Sequence, residues 1–182
     1  MWRAEIPFHE FDLDVIRAWD QRWFLLTAGR HGPGQFNTMT VSWGSFGVIW
    51  GKPFAQVFVR PSRYTHQFME GSDDFTLSAF GPQHRAALDL LGSRSGREMD
   101  KIAQAGLTPI ASTLVAAPAF EQADLIVECR KIYHDVFRPS NFLADYIEPN
   151  YKGTNYHDIY FGEIVAIRGV EQYRRRAAGP ES

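Results

Sequence analysis

Apolar residues recur at short intervals along this chain, either alternating with polar residues or in short continuous runs. Alternation with a period of two is the pattern of a strand with one buried face, and a short continuous apolar run is typical of a buried strand. Glycine- and proline-rich turns separate six such stretches. We therefore predict strands at residues 23–27, 36–43, 54–59, 75–80, 123–133 and 158–170.

Short helices are predicted between the strands, at residues 13–19, 63–69, 83–91 and 96–104. Ser62 is the expected N-cap of the second helix, which follows Pro61 and ends at Gly71. For the fourth helix we expect Ser95 as N-cap, with Glu98 three residues later completing a capping box. Residues 107–119 are expected to be a loop, and residues 139–154 an irregular aromatic segment.

The fold class follows from the number and spacing of these elements. A parallel βαβ fold needs helical crossovers between most strands, and these are missing. Six strands with a few small helices instead predict a closed or nearly closed antiparallel barrel. We expect a single domain over residues 1–182, in which residues 1–22 are an N-terminal extension and residues 172–182 a flexible tail.

Composition and charge argue against several classes of partner. A formal net charge of -2 gives no reason to expect nucleic acid or an acidic membrane surface. The N-terminal segment carries acidic residues and a proline where a signal peptide needs an apolar core, and no run approaches the ~18–20 apolar residues of a membrane helix. The single cysteine, Cys129, lies in an apolar run and is expected to be buried. We expect a cytoplasmic protein.

No catalytic or metal-binding motif stands out. The six histidines, at positions 9, 31, 66, 84, 134 and 157, show no paired ligand spacing, so we predict no metal site. The expected role of the His157-Asp158 pair is a hydrogen bond where a strand begins. No nucleophile elbow, P-loop or GxGxxG fingerprint occurs. Chemistry is therefore expected to come from a cofactor that the protein binds and orients.

The sharpest polar feature is VRPSRYTHQF, a helix start with Arg60, Arg63 and Thr65. Free backbone N–H groups and arginine forks are the parts of an anion site, although a surface helix with solvated arginines is the alternative. The segment SRSGREMDK is a second, weaker helix start with basic residues. On the strand at 36–43, alternate small polar side chains suit the edge of a planar heterocycle, or else face solvent.

The order NTMTVSWG, KPFAQVFVRPSRYT, FTLSAF, SGREMDK and YFGEIV resembles the flavin-reductase-like, FMN-binding split-barrel family, which includes flavoredoxin-like members. The resemblance covers residues 23–167 and is specific as a combination. It implies a mainly β fold, a Greek-key split β-barrel of about six antiparallel strands with a few short helices. It also implies a homodimer with the flavin near the subunit interface.

The resemblance implies a set of cofactor-binding residues and no catalytic side chain. On the strand at 36–43 the residues expected beside the isoalloxazine ring are Asn37, Thr38, Met39, Thr40, Ser42 and Trp43. The arginine-rich turn, expected to hold the ribityl phosphate, comprises Arg60, Ser62, Arg63, Tyr64 and Thr65. A second contact to the phosphate is expected from Ser95, Gly96 and Lys101. Glu98 stands where the family pattern leads us to expect Asp, which keeps the charge.

The implied function is an NAD(P)H-dependent flavin reductase that transfers hydride from nicotinamide C4 to flavin N5. The expected cofactor is FMN, with FAD as the alternative, and NAD(P)H is the expected co-substrate. Two other functions stay open. One is an FMN-bound electron carrier that exchanges electrons with a redox partner protein and has no nicotinamide site. The other is a ligand-binding barrel without turnover.

Overall fold

A computed structural model describes residues 2–175 and shows one antiparallel sheet of eight strands with a separate two-stranded sheet. The eight strands are β1 (Ala4–Glu5), β2 (Phe24–Gly29), β3 (Phe36–Val41), β4 (Gly44–Ile49), β5 (Lys52–Val59), β6 (Asp74–Ala79), β9 (Leu125–Val136) and β10 (Asp158–Gly169). The two-stranded sheet pairs β7 (Pro109–Ile110) with β8 (Ala119–Phe120). The order in the large sheet is β3-β2-β6-β9-β10-β5-β4, and β1 pairs with the end of β10.

The helices are few and short. They are α1 (Val15–Arg17), which continues into a π-helical turn (Ala18–Arg22), α2 (Tyr64–Glu70), α3 (Arg85–Ser93) and α4 (Lys101–Gln104). Single 3₁₀ turns lie at Phe8–Glu10, Pro82–His84, Pro139–Asn141, Glu148–Asn150 and Glu171–Tyr173. The predicted mainly β architecture with a few short helices is confirmed. No helix in the described part of the chain is long and apolar enough to span a membrane.

The large sheet curls so that one face is enclosed. Phe24 on β2 and Phe46 on β4 come from opposite ends of the strand order, yet their ring centroids are 5.7 Å apart. Strands β3 and β4 nevertheless remain unpaired edges, since neither bonds to the other across the gap. The barrel is therefore closed by side-chain packing, but its ring of hydrogen-bonded strands is interrupted between β3 and β4.

Two apolar cores lie on the two faces of the sheet, which explains the continuous apolar run of β2. Phe24 and Leu26 point into the enclosed core, whereas Leu25 points into a second core beneath α3, which contains Leu88 and Leu91. Both faces of β2 are thus covered, and the strand has no polar side. The expectation of a buried strand here is confirmed, with these β2 side chains fully buried.

All six predicted strands are present, but the sequence-based count missed four others. The glycines of β4 are typical of a turn, and the sequence-based prediction places no strand there. A side chain at Gly44 would collide with the Trp19 ring, so this glycine serves close packing inside a strand. The turn itself is Trp50-Gly51, where both residues have positive φ, as a two-residue hairpin of type I′ requires. Short strands β1, β7 and β8 carry too few residues to show a pattern.

Both predicted serine caps are wrong. Helix α2 has Arg63 at its N-cap with no side-chain cap, and the Ser62 hydroxyl bonds to Asn155 instead. Ser95 accepts from the N–H of Arg97 in a turn, and α4 begins only after Asp100, whose carboxylate accepts from Ala103. At α2 a tertiary contact with Asn155 replaces the predicted serine cap, and at α4 the Asp100 carboxylate is the cap instead of Ser95.

The two chain ends pack together rather than extending away. Ile6 is buried in the enclosed core, so residues 1–22 contribute to the barrel beyond a simple extension. The prediction of a flexible tail from residue 172 is wrong for its first residues, because Tyr173 is buried and Arg174 pairs with Glu10. The remainder of the predicted tail, residues 176–182, lies outside the described residues. Cys129 is buried, as expected.

Replacing Gly162 by alanine should destabilise the fold by about 1–3 kcal/mol, since overpacking a dense core has that cost. A Cβ at this position would lie 2.6 Å from the Phe75 ring and 2.7 Å from Cβ of Cys129. Urea unfolding measures the effect. Gly71→Ala is the matched control, because its Cβ would meet only the Gln67 carbonyl, at 3.4 Å. Equal free energies of unfolding for the two variants would contradict this packing.

Candidate functional site

Two adjoining cavities lie where β3 meets the start of α2. The strand cavity, of about 390 Å³, is lined by β3 and the residues after it together with Phe58, Arg60 and His157. The turn cavity, of about 90 Å³, lies between β3, the first turn of α2 and the segment before α4. Met39, Ser62 and Arg63 line both. The two cavities are therefore adjacent, one wide and one narrow.

Twelve of the fourteen predicted cofactor-binding residues line these cavities. The strand cavity has Met39, Thr40, Ser42, Trp43, Arg60, Ser62 and Arg63 on its walls. The turn cavity has Asn37, Met39, Ser62, Arg63, Tyr64, Thr65, Ser95 and Lys101. The fold thus brings together three segments that are far apart in sequence.

Thr38 and Gly96 are the two predicted residues that line neither cavity. The Thr38 hydroxyl is buried and bonds to the Thr27 hydroxyl at 2.9 Å and the Leu26 carbonyl at 3.0 Å. Gly96 acts from behind the site, since a Cβ there would lie 2.5 Å from Oδ1 of Asn37. Its lack of a side chain lets the segment before α4 approach β3 closely.

The arginine-rich turn is braced by a distant segment that sequence reasoning did not connect to it. The N–H of Ser62 donates to Oδ1 of Asn155 at 3.1 Å, and Nδ2 of Asn155 donates to the Ser62 hydroxyl at 2.9 Å. Arg60 donates from Nη2 to the Asn150 carbonyl at 2.9 Å. Residues 150–155 therefore fix the position of the turn, although their sequence carries no recognisable motif.

The two most enclosed cations are held by carbonyl oxygens at the end of α3. Arg63 donates from Nη2 to the Gly92 carbonyl at 2.6 Å. Lys101, only 3% exposed, donates from Nζ to the carbonyls of Leu91 at 2.9 Å and Arg94 at 3.1 Å. Carbonyls at a helix C-terminus attract cations, but they carry only partial negative charge. No Asp or Glu lines either cavity among the described residues, so the positive charge is not neutralised.

The pKa shifts record this uncompensated charge. Burial, and then repulsion from Arg63, lowers the pKa of Lys101 to about 8. The pKa of Arg63 is lowered by burial and by Arg60. Burial and both arginines lower the pKa of His157 to about 4, so its imidazole is neutral at neutral pH. Cations that repel one another in a half-buried cavity are stabilised by an anion.

His157 makes the structural hydrogen bond expected where a strand begins, since its Nδ1 lies 2.9 Å from the Tyr151 hydroxyl just before β10. Sequence reasoning did not place it in the site. Its ring is 5.3 Å from that of Trp43, which is 47% exposed at the rim of the strand cavity. Asp158, its neighbour, contacts His66. Strand alternation at the start of β10 sends adjacent side chains to opposite sides.

A third cavity opens beside the strand cavity. It has a volume of about 1020 Å³ and shares Ser42, Trp43 and Phe58 with its neighbour. Aromatic side chains from the segment after β9, including Phe137 and Phe142, form its wall. An apolar space of this size beside a polar cavity can accept a second planar ligand.

Comparisons with known proteins agree with this architecture. The model of the family described as flavin reductase like domain matches residues 17–178. Flavoredoxin of Desulfovibrio vulgaris (Miyazaki F) is similar in fold, with a TM-score of 0.65, 21% identity, and coverage of 88% of this chain and 75% of that one. No curated protein sequence matches the chain.

Two further solved structures share the fold. An FMN-binding protein from Thermus thermophilus, solved with 1-cyclohex-2-enone, has a TM-score of 0.65 and 21% identity over 97% of this chain and 86% of that one. An NADH:FAD oxidoreductase from Streptomyces globisporus C-1027 has a TM-score of 0.61 and 16% identity over 86% of each chain. At these identities the likeness establishes the split-barrel fold.

The low pKa of Lys101 predicts how binding of a phosphate monoester such as FMN depends on pH. A bound anion raises this pKa above its free value of about 8, so binding above that pH requires proton uptake. Below about pH 8 Lys101 stays protonated, so its titration should leave the affinity unchanged, and above that pH the affinity should fall by up to roughly tenfold per pH unit. Fluorescence titrations with FMN at about pH 7 and about pH 9.5 measure this fall.

The control is Lys101→Arg, because arginine keeps its charge throughout this range. Any fall caused by titration of the ligand itself appears in both proteins. The prediction requires a steeper fall in the wild type, and identical pH profiles for the two proteins would contradict it.

Proposed function

The chain belongs to the flavin reductase like domain family, and on this premise we propose that it binds FMN and acts as an NAD(P)H-dependent flavin reductase. The observation that carries the proposal is the cationic turn cavity, which has no carboxylate among its described lining residues and adjoins the strand cavity. This pairing suits a ligand with a phosphate at one end and a planar heterocycle at the other.

Arg63 and Lys101 are the residues proposed to bind the flavin phosphate. Both already point N–H groups at carbonyls in this part of the molecule, and both have spare donors for an oxyanion. The hydroxyl of Thr65 and the amide of Asn37, which bond to each other at 2.8 Å, add neutral polar groups. The combined positive charge of Arg63 and Lys101 matches the negative charge of a phosphate, which is about -1.5 to -2 at neutral pH.

Strand β3 is proposed to hold the edge of the isoalloxazine ring. Because β3 is an edge strand that pairs only with β2, its other side has free backbone N–H and C=O groups. Met39 lines the strand cavity from β3, and Trp43 lies at its rim. The Thr40 hydroxyl donates to the Leu88 carbonyl at 2.5 Å, so its contribution to the cavity wall is its packing.

Bound FMN would supply the redox chemistry by accepting hydride at N5 from nicotinamide C4. The chain's own residues orient the two ligands and restrict the access of water. The third cavity favours the reductase over the electron carrier, because it provides room for a nicotinamide ring next to Trp43. His157, neutral with a pKa of about 4, can offer a hydrogen bond but carries no proton to donate as an imidazolium at neutral pH.

Several expectations from the sequence stay predictions. They are the homodimer, a redox partner protein, FAD as the alternative flavin and the cytoplasmic location. An exposed aromatic and aliphatic face on the outer strands, which includes Val48, Trp50 and Tyr133, is a surface that a second copy could cover.

The function is tested by loading the purified protein with FMN, removing the excess, and adding NADH or NADPH without oxygen. We expect the visible flavin absorbance to be retained and then to bleach within seconds. Free FMN at the same concentration, mixed with the same nucleotide, is the control and should bleach far more slowly. The control isolates the contribution of the protein in orienting the two ligands.

Each other outcome points away from the reductase. A retained flavin that stays oxidised in the presence of either nucleotide would contradict the reductase and favour the electron carrier. Failure to retain flavin would contradict the cofactor assignment itself and leave a barrel that binds another ligand.

A further inference from the structure

Away from the two cavities, α2, β9 and β10 bring a second group of polar side chains together. His66, Glu70 and Asp158 each offer one atom able to bind a metal ion, and these atoms all lie within 4.8 Å of one another. His66 and Glu70 are one helical turn apart on α2 and therefore share a face. On β9, His134 adds a second imidazole, with its Nε2 3.9 Å from Oδ2 of Asp158. We call these four residues the His/carboxylate cluster.

Asp158 is the centre of the cluster and is only 8% exposed. Its Oδ2 contacts Nε2 of His66 and lies close to His134. A carboxylate removed from water needs a cation or several donors to stabilise its charge. Two imidazoles, which are both donors and metal ligands, lie around it, and the Tyr160 hydroxyl is a further hydrogen-bond partner.

A buried tyrosine orients the second carboxylate. The Tyr160 hydroxyl donates to Oε1 of Glu70 at 2.5 Å, and the Tyr160 ring stacks on the His134 imidazole at 4.7 Å between centroids. One carboxylate oxygen of Glu70 lies within 4.8 Å of the ligand atoms of His66 and Asp158. Ligands of protein-bound metals are typically held by outer hydrogen bonds of this kind. Tyr160 is not one of the four proposed ligands. Its contacts with Glu70 and His134 therefore support the site independently of the ligands themselves.

The nearby cation does not occupy the cluster. Nζ of Lys131 donates to the Met69 carbonyl and lies 5.7 Å from the centroid of the Tyr160 ring. Among the described residues it forms no ion pair with Glu70 or Asp158. The cluster also lines none of the three cavities described above, so it is separate from the proposed flavin site.

We propose that the His/carboxylate cluster binds one divalent zinc ion. Zn²⁺ prefers four ligands drawn from imidazole nitrogen and carboxylate oxygen at about 2.0–2.2 Å, so its ligand atoms lie roughly 3.3 Å apart. The direct contact between His66 and Asp158 must open to admit the ion, and the exposed Glu70 and His134 must rotate towards it. His66 binds through an unprotonated Nε2, and its proton moves to Nδ1 or, from the imidazolium, to solvent.

The zinc ion would tie the end of α2 to the start of β10. The first turn of the same helix supplies Tyr64 and Thr65 to the turn cavity, and β10 follows directly after His157. Metal binding to the folded chain alone stabilises it. The expected role is structural, since none of the four ligands lines the strand cavity or the turn cavity.

The test uses the full chain, stripped of metal with a chelator and dialysed against Zn²⁺ at micromolar concentrations. We expect one zinc ion per chain, measured by elemental analysis, and a higher Tm in its presence. Glu70→Gln and His66→Gln should each weaken binding at least about tenfold, and Tyr160→Phe should weaken it roughly tenfold through loss of orientation. Glu70 is exposed, so its substitution leaves folding intact.

His9→Gln is the matched control, because His9 is an exposed histidine distant from the cluster in the sequence and paired only with Glu10. Its zinc affinity should equal that of the wild type. No stoichiometric zinc on the wild type would overturn the proposal. Zinc that binds the Glu70→Gln and His66→Gln variants as tightly as the wild type would overturn it as well.

Discussion

Positive charge enclosed without a matching carboxylate is the constraint on which the candidate site depends. Arg63 and Lys101 donate hydrogen bonds to the last carbonyls of α3. Burial at this position lowers the pKa of each side chain, so its charged form is less stable than in water. Removing a cation from water is costly unless an anion accompanies it. Two such groups side by side favour an anionic ligand, which is the physical basis for proposing that the flavin phosphate binds at this position.

The split in the barrel places this positive charge beside an unpaired strand edge that a ligand can reach. Since β3 remains an edge, its backbone is available to a ligand, and the turn before α2 lies directly beside it. Closure of the barrel depends on aromatic packing between Phe24 and Phe46 rather than on hydrogen bonds between β3 and β4. The same arrangement therefore supplies a rigid enclosed core and an unpaired edge for recognition.

Much of the strand pattern could be predicted from the sequence, because it depends on local alternation. Most of the residues that line the two cavities were expected from the family resemblance, and their role in binding stays a prediction. What could not be predicted depends on contacts between distant residues. The role of Ser62 changed because Asn155, far along the chain, accepts and donates to it. Thr38 points away because β2 offers Thr27 as its partner. Asp158 and His66, 92 positions apart, meet only in the folded protein.

The most direct test of the central claim compares FMN with riboflavin, which has the same ring and no phosphate. If the turn cavity binds the phosphate, the wild type should bind FMN at least about tenfold more tightly, since one charge-assisted hydrogen bond contributes roughly 1.5–3 kcal/mol. In Arg63→Ala this preference should shrink while riboflavin affinity stays the same. Equal affinities for FMN and riboflavin in the wild type would contradict the account.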